Sequence, residues 1–217
     1  MKKVILIIFL MFLSSIALAD AETEAELKEA RSDMTSNPQR AYELAVKLDQ
    51  KGNCHGTGIL ASLYGKGEVV KKDKQKMIEL HTKSANGGCA LSAGLIGTFY
   101  RTGYPPILPV DLNKAAYWHG KAFEFDNSLC NNAKWAATIY DENGNQVDAL
   151  NWYKKAHSQN SCKSDQDIVS RIKALEVTQQ KQVEDMREDP PVAGIKLSIG
   201  GSGDSPSKPK KKPKKKN

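Results

Sequence analysis

The sequence predicts an all-α fold in which helix-turn-helix repeats stack into an α/α superhelical solenoid. The main observation is a ladder of small residues, Tyr, Gly, Asp and Lys-Ala that recurs three times between residues 60 and 156. Self-similarity at a period of a few tens of residues is typical of stacked supersecondary units. A second observation is that the four cysteines are spaced by 35, 41 and 32 residues, each directly after a turn and before a predicted helix. A solenoid offers an extended surface to partners and seldom houses a catalytic centre.

The chain is predicted to start with a secretory signal peptide over residues 1–19. Two lysines precede a short apolar run, residues 4–13, and Ala17-Leu18-Ala19 supplies a small-x-small cleavage site. This run is too short, and wrongly flanked, for a membrane-spanning helix. We therefore expect a periplasmic or secreted protein whose mature chain starts near Asp20. An uncleaved anchor is the less favoured alternative.

The net charge of +7 belongs to the two ends of the chain. Without the two lysines of the signal segment and the seven of the tail, 23 basic residues face 25 acidic ones. A near-neutral body does not support a basic groove for specific nucleic-acid binding. The tail lysines are candidates for binding an anionic surface such as a membrane or a polymer. They are Lys208, Lys210, Lys211, Lys212, Lys214, Lys215 and Lys216.

Residues 20–37 are predicted to be a helical or flexible N-terminal segment, because Leu27 is the one large apolar residue before Met34. The solenoid is predicted over residues 38–160. Its first helix starts after Asn37, a good N-cap followed by Pro38, and ends at Gly52. Three antiparallel helix pairs follow: 54–65 with 73–86, 90–102 with 111–125, and 131–141 with 146–158.

The loops inside the pairs carry clear turn chemistry. Gly67 and Gly103 are expected to end helices with a positive φ, and Asp73 and Asp111 are expected to cap the helices that follow. The second loop also contains an apolar, proline-rich insert. Insertions in repeats often map to a binding face, which makes these residues candidates for partner binding. They are Tyr104, Pro105, Pro106, Ile107 and Leu108.

Small and aromatic residues of the ladder are expected to form the core between paired helices. The small residues allow close approach, and tyrosines one turn later fill the space. Trp118 and Trp152 are expected to pack across their pairs. The small residues are Ala61, Gly97 and Ala137, and the tyrosines are Tyr64, Tyr100 and Tyr140.

The C-terminal part divides into a helix and a tail. Residues 161–188 are predicted to form a capping helix, since terminal units of a solenoid need a polar outer face. Residues 189–217 are predicted to be a disordered linker and Lys/Pro-rich tail. The apolar side of the capping helix is expected to comprise Ile168, Ile172, Leu175 and Val177.

The ladder resembles the Sel1-like repeat family, a relative of the tetratricopeptide repeats. Tyr64-Gly65-Lys66-Gly67 and Trp152-Tyr153-Lys154-Lys155-Ala156 are near-literal matches to the family pattern. Departures from it include His119 in place of Tyr and Asp148 in place of Lys. The resemblance covers a little over half of the chain. It implies a solenoid that serves as an adaptor for protein partners, in the envelope, in host interaction or in toxin immunity.

The resemblance also bears on the cysteines, which by number alone allow three connectivities. Some exported members carry disulfides within repeats, but here each cysteine lies one repeat from the next. Any bridge would then link neighbouring repeats, and Cys54–Cys89 with Cys130–Cys162 is the favoured pairing. Disulfides are consistent with an exported chain.

No catalytic, metal or cofactor site is predicted. The histidines are interpreted as structural, in particular His81 and His119, which occupy equivalent ladder positions. Cys54 and His55 are adjacent, but neighbours on a helix do not face each other. The leading hypothesis is an exported, non-catalytic adaptor, the second an anionic-surface binder acting through the lysine tail, and the third an envelope hydrolase. The partner and the oligomeric state are not predicted.

Overall fold

The computed structural model describes the backbone of residues 2–188 and the side chains of residues 19–187. These residues form α-helices joined by short loops, which confirms the predicted fold class. Among the described residues, one compact unit comprises residues 2–177, and residues 178–188 belong to a second. The predicted linker and lysine tail lie outside the described residues. The helices are α1 Lys2–Ser36, α2 Pro38–Gln50, α3 Cys54–Lys66, α4 Lys74–Asn86, α5 Ala90–Thr102, α6 Leu112–Phe125, α7 Cys130–Glu142, α8 Gln146–His157 and α9 Gln166–Glu188.

The three predicted helix pairs are α3 with α4, α5 with α6 and α7 with α8, hereafter the first, second and third repeats. Their boundaries follow from the predicted caps. The Asp73 and Asp111 side chains accept hydrogen bonds from the backbone N–H groups of Lys76 and Lys114, at 2.8 and 2.9 Å. A left-handed glycine, Gly67 with φ 78°, ends α3. These short-range signals place each pair in register.

Helix α1 is longer and better anchored than the sequence suggests. It runs without a break through residues 20–36, and both Leu27 and Ala30 are buried in the core with α2 and α3. Glu26 adds a polar anchor, because a hydrogen bond from Lys47 of α2 lowers its pKa to about 2. One buried leucine with an adjacent alanine and an ion pair therefore suffices to dock this helix. Among the described residues, we find no helix with the length and hydropathy needed to span a membrane.

On helix α9, Gln166–Glu188, three of the four residues expected on the apolar side lie there. Ile168 and Leu175 are buried in a core cluster with α7 and α8, and Ile172 is half-buried there. Val177, expected on the same side, is 57 % exposed. It lies nine residues after Ile168, which at 100° per residue places it on the opposite face of the helix.

The proline-rich insert packs back onto the first and second repeats. The backbone N–H of Tyr104 donates to the carbonyl of Leu108 at 2.7 Å, which closes a tight loop. Tyr104, Ile107 and Leu108 are half-buried against Met77, Ile96 and their neighbours. Pro105 and Pro106 remain exposed. Most of the apolar surface of the insert is therefore used inside the fold.

The tryptophan of the third repeat packs against the preceding repeat as well as its own. A Cβ atom at Gly120 of α6 would lie 2.8 Å from the Trp152 ring, and Phe123 of α6 meets the same ring edge-to-face. The expected packing across the pair is thus supplemented by packing between repeats. Gly120 is needed because only a residue without a side chain admits the indole this closely.

Two disulfides link successive units of the stack. Cys54 and Cys89 join the N-terminal ends of α3 and α5, with Cα atoms 5.8 Å apart. Cys130 at the start of α7 is joined to Cys162, which precedes α9, with Cα atoms 6.1 Å apart. This is the pairing favoured from the sequence. The junction between the second and third repeats carries no disulfide.

Candidate partner-binding groove

Three adjoining cavities follow the first helices of the three repeats, α3, α5 and α7. The first, of about 280 Å³, is bounded by α3 and α5 together with α1 and α4. The second, of about 230 Å³, shares Leu91 and Leu95 with the first, and the third, of about 310 Å³, shares Asn131 and Trp135 with the second. Because neighbouring cavities share walls, they form one continuous surface, which we call the first-helix groove.

The wall of the groove is apolar and open to solvent. Leu91 and Leu95 of α5 are 69 % and 42 % exposed, and Trp135 of α7 is 40 % exposed. Leu91 and Leu95 are four residues apart, so they lie on one face of the helix. Large apolar side chains are exposed elsewhere too, but here they line a shared concavity, as is typical of binding surfaces.

A buried histidine lies beneath the groove at the junction of the first and second repeats. His81 of α4 is 4 % exposed, and its Nδ1 is 3.3 Å from the hydroxyl of Ser92 on α5. The Ser92 and Ser84 hydroxyls are 2.7 Å apart, and Ser84 donates to the carbonyl of Cys54 at 2.7 Å. Burial lowers the pKa of His81 to about 4. The imidazole is therefore neutral near pH 7 and connects both repeats beside the disulfide.

His119 of α6 occupies the equivalent position at the next junction. Its Nδ1 donates to the amide oxygen of Asn132 on α7 at 2.9 Å, and a Cβ atom at Gly97 would lie 2.9 Å from the ring. Burial lowers the pKa of His119 as well, so it too is neutral. Its Nε2 is buried and has no hydrogen-bond partner in the described part of the chain. Both histidines thus have the structural placement that their ladder positions predicted.

Two arginines border the groove. Arg31 of α1 lines the first cavity, and the guanidinium carbon of Arg101 lies 3.8 Å from the centre of the Trp135 ring. Neither forms an ion pair with a described residue. Lys134 lines the third cavity but is paired with Asp165 at 2.7 Å. Arg31 also helps to lower the pKa of His55, although burial is the larger cause.

One cluster among the described residues has spacing compatible with a metal. The ligand atoms of Cys54, His55 and Cys89 lie within 4.8 Å of one another. Both sulfurs belong to a disulfide, and metal binding by cysteine requires a thiolate. For the same reason Cys54 cannot act as a nucleophile beside His55. The fourth histidine, His157, lies at the end of α8 and does not line the groove.

The residues predicted for partner binding lie elsewhere. None of the insert residues Tyr104–Leu108 lines the groove, so their role in binding stays a prediction. The tail lysines, Lys208 to Lys216, lie outside the described residues. Sequence reasoning missed Leu91, Leu95, Arg101 and Trp135. A signal was available, because Trp135 is the one tryptophan that does not occupy the ladder position of Trp118 and Trp152.

Comparison with known proteins bears on the fold. No family model and no curated protein matches the chain. Among solved structures, it is similar to a Sel1 repeat protein from Oxalobacter formigenes, with 19 % identity and a TM-score of 0.59 over 70 % of this chain. The match covers 44 % of that protein, so this chain spans less than half of its length.

A second similar structure is a protective antigen present in uropathogenic Escherichia coli strains and displaying an SLR fold. It has 20 % identity, covers 80 % of this chain and 50 % of the antigen, and has a TM-score of 0.36. That score is too low to add to the argument. The ladder, the three helix pairs and the Oxalobacter structure agree, and the chain therefore has the Sel1-like repeat fold.

Proposed function

We propose that the protein is an exported, non-catalytic adaptor that binds a protein partner in the first-helix groove. The observation that carries this proposal is the continuous concavity along α3, α5 and α7, with Leu91, Leu95 and Trp135 exposed in its wall. The Sel1-like repeat fold is generally a scaffold for protein–protein interaction, and solenoids use extended surfaces of this kind. Apolar side chains that are exposed in a groove gain most when a partner covers them.

Export is supported by two independent features. The predicted signal segment, residues 1–19, addresses the chain out of the cytoplasm. All four cysteines are disulfide-bonded in the structure, which suits an oxidising compartment. Envelope assembly, host interaction and toxin immunity are all protein-binding roles open to such an adaptor, and the identity of the partner distinguishes them.

Crosslinking followed by affinity capture from the native envelope fraction tests the proposal. Three forms are compared: the intact chain, a chain lacking residues 204–217, and a Leu95→Glu variant that places a charge in the groove wall. We expect one stoichiometric protein with the first two forms and its loss with Leu95→Glu. Leu95 is 42 % exposed, so the substitution leaves the core intact.

The same experiment tests the alternative in which the lysine tail binds an anionic surface. Capture of lipid or polymer alone, abolished by removal of residues 204–217 or by salt, would replace the adaptor by a surface binder. The tail composition is the observation that favours this second function.

A further inference from the structure

We propose that the first-helix groove binds an acidic, extended segment of its partner, with carboxylates on Arg31 and Arg101 and apolar side chains against Leu91, Leu95 and Trp135. This inference rests on the proposed function and adds the chemistry of the partner. Its support is the absence of carboxylates from the groove lining and the presence of two arginines without an ion-pair partner among the described residues.

No carboxylate lines any of the three cavities. This is notable because the body of the protein contains slightly more acidic than basic residues. The basic side chains at the groove are Arg31, Lys134 and, stacked on Trp135, Arg101. Of these, Lys134 alone has carboxylate partners in the described part of the chain. Arg31 and Arg101 therefore place positive charge at the groove that no ion pair with a described carboxylate neutralises.

The arginines of the first unit divide by location. Arg40 pairs with Glu29 at 2.9 Å, and Arg171 donates to Asp141 at 2.6 Å; neither lines the groove. Arg31 and Arg101, which are at the groove, form no ion pair with a described residue. Since this fold readily supplies carboxylates to its other arginines, the two groove arginines are available to an external anion.

Arg101 is held in an orientation that suits a carboxylate. Its guanidinium stacks on the Trp135 ring, a cation–π contact that fixes the plane of the group. Its Nε is buried without a hydrogen-bond partner among the described residues, so the two terminal nitrogens are the ones that would meet a carboxylate. The flat fork of a guanidinium recognises a carboxylate through two parallel hydrogen bonds. Pre-orientation by Trp135 reduces the entropy lost when the partner binds.

The size of the groove suits a short extended peptide. It crosses three neighbouring helices, whose axes are typically about 8–10 Å apart, so it spans about 20 Å. An extended chain rises about 3.3 Å per residue, and about six residues fill that length. Alternating side chains of such a segment can then meet the arginines and the apolar wall separately.

Charge also argues against the chain's own tail as the occupant. Residues 208–216 contain seven lysines and no acidic residue, so they carry the same sign as Arg31 and Arg101. Residues 194–199 are more apolar but include Lys196. An acidic segment of another protein can supply both negative charge for the arginines and apolar side chains for the groove wall. Neither of these two parts of the tail supplies both.

The test uses the disulfide-bonded chain, immobilised, and a phage-displayed library of random dodecapeptides. Recovered peptides are sequenced, synthesised with a fluorescent label and titrated with four forms of the protein. These forms are the wild type, Arg31→Gln, Arg101→Gln and, as a charge-matched control, Lys173→Gln. Lys173 is exposed on α9, and its side chain forms no ion pair or hydrogen bond with a described residue.

We expect the recovered peptides to be enriched in Asp, Glu and large apolar residues. Each arginine substitution should weaken their binding by about tenfold or more, as for loss of a charge-assisted hydrogen bond, and Lys173→Gln should leave it unchanged. Arg101→Lys should also weaken it, because lysine keeps the charge but lacks the planar fork. Arg31 is exposed, so Arg31→Gln retains the fold even if Arg101→Gln does not.

Two outcomes would overturn the inference: recovered peptides without acidic enrichment, or acidic peptides that bind all four forms equally. Peptides recovered only after deletion of residues 189–217 would also overturn it, because the chain's own segment would then be the occupant. The affinity-capture experiment distinguishes failure of the acidic-ligand inference from failure of the adaptor proposal. A native partner captured equally by wild type and Arg31→Gln/Arg101→Gln preserves the adaptor but not the acidic ligand, whereas no protein captured at all removes both.

Discussion

The two junctions between repeats place a buried histidine at the same position but surround it differently. At the first junction His81 is connected through two serines to the backbone of α3, beside the Cys54–Cys89 disulfide. At the second junction His119 has a single hydrogen-bond partner among the described residues, Asn132, and no disulfide crosses between the repeats. The repeat register thus fixes where a side chain lies, whereas the neighbouring repeat decides what it bonds to. The second junction depends on packing and is also where Arg101 and Trp135 meet.

The largest expected effect comes from removing the covalent link at the first junction. The double substitution Cys54→Ser/Cys89→Ser opens a loop of 35 residues and should lower the free energy of unfolding by about 3–4 kcal/mol. Urea denaturation followed by circular dichroism measures this change. Cys130→Ser/Cys162→Ser, which opens a loop of similar length, is the matched control and should give a loss of similar size. An unchanged denaturation midpoint in the first variant would contradict a stabilising role for that disulfide.

The first junction should contribute to the pH dependence of stability through His81. The pKa of His81 falls from an ordinary 6.5 in the unfolded chain to about 4 in the fold. Between these values the unfolded chain binds more protons, so stability is complete above pH 6.5 and is lost as the pH falls towards 4, by up to about 3 kcal/mol. Urea denaturation at pH 7 and pH 4.5 measures the loss. His81→Phe should remove this part of the slope, and an unaltered slope would show that other groups cause it.

A smaller effect is expected from adding a methyl group at the second junction. Gly97→Ala places Cβ 2.9 Å from the His119 ring, which is held by Asn132, and should cost about 1–3 kcal/mol through overpacking. Gly58→Ala is the matched change at the first junction. There the new Cβ would lie 3.1 and 3.2 Å from two hydroxyl oxygens, which is a milder contact. Alanine also stabilises a helix relative to glycine, and this gain offsets the steric cost. The melting temperatures of the two variants measure this difference. A larger drop for Gly58→Ala than for Gly97→Ala would contradict our conclusion that the packing is tighter at Gly97.

The smallest effect should follow His119→Phe at pH 7. The substitution removes one hydrogen bond to Asn132 but also removes an Nε2 that lacks a partner, so we expect a change within about 1 kcal/mol. His81→Phe deprives a two-serine network of a member and should cost about 1–3 kcal/mol. Chemical denaturation measures the free energy of unfolding of both variants and so compares the contribution of the histidine at each junction. Equal losses would mean that the two histidines contribute in the same way.

Local rules explain why so much of the fold was predictable. The N-caps Asp73 and Asp111 and the glycines Gly67 and Gly103 act over a few residues, so the sequence places helix ends within one residue for most pairs. Docking of α1 was harder to predict, because it depends on Glu26 meeting lysines about twenty residues away.

The groove was less predictable for a physical reason. Leu91, Leu95 and Trp135 have no short-range signature, and their significance arises only when α3, α5 and α7 lie side by side. The proline-rich insert showed the opposite problem. Its apolar residues suggested a binding face, but Tyr104, Ile107 and Leu108 are half-buried against the first and second repeats. Sequence alone could not distinguish an apolar loop that covers its own repeat from one that is free.

The continuity of α1 has a consequence for maturation. Removal of residues 1–19, as the sequence predicts, would cut within a helix and create a new helix start at Asp20. The first turns of that shortened helix would contain Asp20, Glu22 and Glu24, whose negative charges favour the positive end of a helix dipole. The buried residues Leu27 and Ala30 lie beyond the cut. The segment predicted to direct the chain across a membrane and the segment that packs against α2 and α3 could therefore be separated without loss of a core contact in the described part of the protein.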